Sequence, residues 1–242
     1  MGRVAKTMAG VAIVGSLVLT VFAAKAESPV SELEKNFYTI SDVTLSKVAE
    51  DKSEDLSWLS SLEDDCGTSE AWSQQKPQSA TVVVDQIINI GKKIWEIVKA
   101  NKPVVEVKTK TANALPKGIQ CWDQLESWNF PKAETYKVVY KNLMGIEVVR
   151  FSFRVIFTYG GQYRGKGRYI TNATIVPADV NVVWGYTFGA NVNISQVVNL
   201  GSRQNPKAGM EMNLDWMVKT PLVENRKTST FFLSGEGELV QY

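Results

Sequence analysis

The second half of the chain alternates between apolar and polar residues with a period of two. In VVRFSFRVIFTY (148–159) the odd positions Val149, Phe151, Phe153, Val155, Phe157 and Tyr159 are apolar, while Arg150, Ser152, Arg154 and Thr158 are polar. In VNVVWGYTFGANVNI (180–194) the apolar set is Val180, Val182, Trp184, Tyr186, Phe188, Ala190, Val192 and Ile194, and in MEMNLDWMV (210–218) it is Met210, Met212, Leu214, Trp216 and Val218. Strands that bury one face and wet the other belong to antiparallel sheets. Shorter runs at 134–141, 168–176 and 228–234 bring the expected total to about seven strands. An earlier alternation at 104–110, VVEVKTK, is followed by an irregular span holding Pro116, Gly118, Cys121, Trp122, Trp128 and Pro131.

Upstream the period reads as helical. Val84, Ile87, Ile88, Gly91, Ile94, Trp95 and Val98 recur at i, i+3, i+4 and i+7, which predicts an amphipathic helix over 82–102, ended by Asn101 and Pro103. From Glu27 to Gln78 the chain is acidic and serine-rich. Ser31 with Glu34 forms a capping box, and Leu56, Leu59 and Leu62 recur around Trp58. The expected fold is therefore mainly β with some α: an antiparallel sandwich or curved sheet of about seven long strands, one packed amphipathic helix and a helical acidic N-terminal arm. The corresponding divisions are a signal peptide at 1–26, the acidic arm at 27–78, a linker and helix at 79–103, and an antiparallel β domain at 104–242.

The signal peptide follows from Arg3 and Lys6, the apolar run Met8–Ala24 and the small-residue stretch Ala24-Lys25-Ala26. An uncleaved anchor is the lesser reading, because the run is short for a bilayer span and contains Gly10, Gly15, Ser16 and Thr20. Its removal changes the charge. The chain has 27 basic and 25 acidic side chains; losing Arg3, Lys6 and Lys25 leaves 24 basic, so the formal charge moves from +2 to −1. Residues 27–80 hold 12 acidic and 4 basic side chains, whereas 81–242 hold 13 and 20, so an acidic segment precedes a basic one. Export to a bacterial periplasm or to the extracellular space also predicts that Cys66 and Cys121, the two cysteines, form a disulfide.

The chain contains no histidine, which removes Ser-His-Asp and Cys-His nucleophilic sites and every imidazole ligand or proton shuttle. The adjacent acids Glu63, Asp64 and Asp65 read as a solvated helix face. Asp51, Ser53 and Asp55 start like a calcium loop, but Leu56 replaces its glycine and Leu62 its closing glutamate. No metal site, no cofactor and no catalytic residue is expected.

GGQYRGKG (160–167) satisfies the phosphate-loop spacing up to Lys166, but Gly167 stands where Ser or Thr should hold magnesium, and the following residues are strand-forming. An RNA-binding reading fails because Lys166 occupies the place of a stacking aromatic, so nucleic acid is not an expected partner. A hairpin turn explains the glycines. Around it gather Tyr159, Tyr163, Arg164, Lys166, Arg168 and Tyr169, rings and cations suited to carboxylates or phosphates of glycans and lipid head groups. The expected function is a non-enzymatic exported β-domain with a binding or structural role at the cell surface. Its expected partner is an anionic glycan, a lipid head group or another surface protein. An outer-membrane or pore-forming β-protein, suggested by the long amphipathic strands and terminal Tyr242, is the alternative, so membrane contact is the less favoured reading. A carboxylate-based hydrolase is the third.

Overall fold

The computed structural model describes residues 31–49, 81–90, 93–100 and 111–242, with backbone alone for 93–100. One short helix, α1 (Glu32–Tyr38), precedes eleven strands: β1 (Ile40–Lys47), β2 (Val83–Ile90), β3 (Lys93–Ala100), β4 (Ala112–Lys117), β5 (Lys132–Asn142), β6 (Glu147–Tyr163), β7 (Lys166–Val182), β8 (Thr187–Asn199), β9 (Ala208–Lys219), β10 (Glu224–Ser234) and β11 (Leu239–Gln241). They form two antiparallel sheets, one of six strands in the order β1-β5-β6-β7-β4-β2 and one of five in the order β11-β10-β9-β8-β3. The protein is thus mostly β.

The alternation explains how the sheets meet. Val149, Phe151, Phe153, Val155 and Phe157 of β6 are fully buried, as are Met210, Met212, Leu214 and Val218 of β9, and all belong to one core. Aromatic rings join the sheets across it: Phe151 lies 4.9 Å from Phe188, and Phe231 lies 5.0 Å from Tyr136 and 5.8 Å from Phe153, ring centre to ring centre. Burying each such side chain contributes about 1.5–3 kcal/mol. One polar link crosses the same interior. The Trp216 indole N–H donates to the Tyr140 hydroxyl at 2.8 Å, and that hydroxyl donates to Asn225 Oδ1 at 3.2 Å.

Three expectations are corrected. The predicted amphipathic helix over 82–102 is instead β2 and β3, which pair with β4 and β8 in different sheets. Its i, i+3, i+4 apolar spacing is carried largely by Val and Ile, whose branched Cβ atoms favour extended backbone. The long run 180–194 is not one strand. It breaks at 183–186, where the chain passes from β7 in one sheet to β8 in the other, so Trp184 lies exposed in the connection instead of facing the core. The break is stabilised by Gly185 at φ +86°, where a Cβ would overlap the Tyr38 ring. Finally, within the expected helical arm, α1 is helical but residues 40–47 form an edge strand on β5, with Ile40, Val43 and Leu45 packed against the core.

The signal-peptide segment, the Leu56–Leu62 repeat, Cys66 and the 104–110 alternation lie outside the described residues. No helix among the described residues is long and apolar enough to cross a membrane, a statement that does not bear on membrane-crossing strands.

Candidate functional site

The hairpin β6–β7 is the longest in the molecule, with 17 residues in each arm. Tyr163 pairs with Lys166, so Arg164 and Gly165 alone form the turn. Both have positive φ, 50° and 73°, as a type I′ turn requires. Asn, Asp or Gly is the usual first residue of such a turn, and Arg164 adopts the left-handed conformation without their advantages. Its guanidinium carbon sits 5.2 Å from the centre of the Tyr163 ring, a cation–π arrangement that holds the charge at the end of the hairpin. Arg164 and Lys166 are exposed and Tyr163 is half-buried.

The segment before β5 supports this end of the hairpin. Glu126 and Gln162 exchange backbone hydrogen bonds at 2.9 and 2.8 Å, and the Asn129 N–H donates to the Tyr159 carbonyl at 2.9 Å. The Glu126 carboxylate accepts the Gly165 N–H at 3.0 Å, fastening the turn itself. Trp128 lies over Gly161, where any Cβ would overlap the indole ring. The glycines of GGQYRGKG are thus used for a bulge at Gly160, for ring packing at Gly161 and for the turn at Gly165. Nothing here resembles a phosphate loop.

Of the six residues singled out from the sequence, the structure gathers three at the tip: Tyr163, Arg164 and Lys166. Tyr169 is a correction. It is fully buried and donates its hydroxyl to the Val84 carbonyl at 2.8 Å, and burial, with the Asp85 charge, drives its pKa far up, so it is a core residue unable to meet a ligand. Tyr159 is half-buried, lying 5.8 Å from Phe157 and over Gly237. Arg168 is half-buried, its backbone N–H donating to the Pro206 carbonyl and its guanidinium to the Gly167 carbonyl. In this pattern the alternation of β7 was a usable signal: Gly167, Tyr169 and Thr171 share its inward face.

A second cluster was not foreseen. Glu134 is the buried acid among the described residues, and its carboxylate meets Lys47 Nζ at 2.9 Å, Lys132 Nζ at 3.5 Å and the Tyr136 hydroxyl, which donates at 2.9 Å. Burial alone would raise the Glu134 carboxyl, but the hydrogen bonds from Lys47 and Tyr136 and the two ammonium charges together hold it below the ordinary value. Tyr136 is driven up by burial and by the carboxylate it faces. This carboxylate is fully engaged by partners, which suits a structural ion pair across the β1–β5 edge. Among the described residues no group of three or more Asp, Glu or Cys could hold a metal ion.

Fold and site together define a two-sheet antiparallel β protein with a cationic hairpin projecting at one end. Compared with family models, curated proteins and solved structures, the chain matches none.

Proposed function

We propose that this chain is an exported, non-enzymatic β-protein, periplasmic or secreted, that binds an anionic oxygen ligand at the cell surface through Tyr163, Arg164 and Lys166. The observation that carries the reading is Arg164 itself. A charged, long side chain occupies a left-handed turn position that Asn or Gly fills at lower energy, its charge is exposed, and its one ring contact, the cation–π arrangement on Tyr163, keeps that charge at the tip. A guanidinium fork beside an ammonium suits carboxylate and phosphate groups, such as those of an acidic glycan. Export rests on the residue order of the first 26 positions, and the non-enzymatic reading on the exclusion of histidine-based chemistry. A disulfide between Cys66 and Cys121 is part of the same reading; Cys121 is buried, just before the turn Trp122–Gln124 that leads to Glu126, Trp128 and Asn129 against the hairpin.

The outer-membrane alternative is weaker because the apolar strand faces are occupied by the shared core, whereas a lipid-facing barrel directs them outward. The hydrolase reading is weaker because Glu134 is held ionised by Lys47 and Tyr136. The test is binding to an array of acidic and neutral glycans. Replacing Arg164 and Lys166 together by Ser should abolish the preference for acidic members, and unchanged preference would refute the site. Retention of the chain in membranes after alkaline carbonate extraction, with release by detergent alone, would refute a periplasmic or secreted protein in favour of an integral outer-membrane one.

A further inference from the structure

The opposite pole of the molecule has a different chemistry. Antiparallel register brings the β5–β6, β7–β8 and β9–β10 connections to one end: Val149 pairs with Val182, Thr187 with Lys219, and Lys219 with Glu224. Each connection carries large apolar side chains into solvent: Leu143, Met144 and Ile146 on the first, Trp184 on the second, Leu222 and Val223 on the third. Leu33 of α1 joins them, because α1 docks on the same end through the Phe37 carbonyl, which accepts from Asn142 Nδ2 at 3.1 Å and from the Tyr186 hydroxyl. Seven of the thirteen exposed large hydrophobic side chains among the described residues therefore lie at this pole.

These side chains are held outward by built structure. Asn142 is fully buried, and its Oδ1 accepts the Met144 and Ile146 N–H groups at 3.1 and 3.0 Å. Thr220 Oγ1 does the same for Leu222 and Val223 at 3.2 and 2.9 Å. Gly185, under the Tyr38 ring, fixes the connection that leaves Trp184 76% exposed. The loops are pre-organised to present apolar tips, which the described residues leave exposed.

We infer that this pole inserts into the surface of a lipid bilayer. Two observations select lipid over a protein partner. The apolar side chains stand on four separate segments, which suits a fluid phase that needs no matching relief, whereas a protein interface has a continuous packed centre. Trp184, the most exposed of the seven, is the residue type favoured at membrane interfaces. Strand β6 runs the length of the sheet, roughly 50 Å, which leaves Arg164 and Lys166 directed away from the bilayer. The inference does not depend on the ligand of that hairpin.

The test is partitioning of the exported chain onto vesicles of phosphatidylcholine alone and of phosphatidylcholine mixed with phosphatidylglycerol, by flotation, with brominated acyl chains as a fluorescence quencher. Combined Met144→Ser, Trp184→Ser and Leu222→Ser should weaken partitioning about a hundredfold. Trp184→Phe should remove most of the bromine quenching while leaving binding within a few fold. Phe130→Ser, at a still more exposed apolar site elsewhere, should change neither readout. Absence of wild-type binding to both vesicle types overturns the inference. So do equal partitioning of the triple variant, quenching that persists in Trp184→Phe, and an equal loss caused by Phe130→Ser. The near-ultraviolet circular dichroism of each variant checks that the fold is kept.

Discussion

Tyr140→Phe is the sharpest probe of how the two sheets are joined. The Tyr140 ring is fully buried on β5, and its hydroxyl links Trp216 of β9 at 2.8 Å and Asn225 of β10 at 3.2 Å. Burial pushes its pKa up to about 12, against the opposing hydrogen bond from Trp216. Removing the hydroxyl deletes two hydrogen bonds and leaves the Trp216 N–H, on a side chain only 5% exposed, without an acceptor. A lost bond contributes about 0.5–1.5 kcal/mol and an orphaned buried donor about 1–3 kcal/mol, so the expected loss is about 2–3 kcal/mol. For a chain of this size that lowers Tm by roughly 5–10 °C. Urea unfolding at neutral pH, followed by far-ultraviolet circular dichroism, measures it. The decisive arm is the double-mutant cycle with Trp216→Phe. Once the indole donor is gone, Tyr140→Phe should cost about 1 kcal/mol or less. An equal cost in both backgrounds would refute the bridge as an inter-sheet tie, as would a loss under about 0.5 kcal/mol in the wild type.

Two further outcomes follow from the same interior. Because the folded state holds Glu134 below its ordinary value, this carboxylate adds stability that is present above the unfolded carboxyl pKa, about 4.3, and is lost as pH falls through the folded value. Glu134→Gln should therefore flatten the acid limb of stability against pH, and an unchanged limb in urea titrations would show that the pair with Lys47 is not responsible. At the other end, Tyr136, Tyr140, Tyr169 and Tyr186 all have raised values through burial, so stability should fall as pH rises beyond about 10, where the unfolded tyrosines ionise first. The proposed Cys66–Cys121 link should show as an intact mass two hydrogens below that of the reduced chain. Cys121→Ser should then cost about 4 kcal/mol, and a mass unchanged by reduction would remove the link.

Much of the β architecture was legible because a strand's period of two is set locally. Phe151, Phe153 and Phe157, and Met210, Met212 and Leu214, could be assigned inward from spacing alone, and all are fully buried. The segment 82–102 misled because its apolar residues fit a helical stripe while their branched side chains favour strands, and no local rule weighs one against the other. The tip was partly legible. Arg164 and Lys166 lie outside the paired core face, but Tyr169 falls on the inward face of β7, and its neighbour across the sheet, not its chemistry, removes it from solvent.

The sequence by itself determined the class of structure, the absence of imidazole chemistry and the position of the turn of the longest hairpin, since each depends on residue type or on spacing within one segment. Tertiary structure decided which strands share a sheet, because pairing joins residues far apart in the chain, as Lys47 with Tyr136 and Ile88 with Leu115. It also decided the two poles. Leu143, Trp184 and Leu222 look like ordinary core candidates in sequence. Only the register that ends two hairpins and the β7–β8 crossover at one level, with Asn142, Gly185 and Thr220 bracing the loops, turns them outward together.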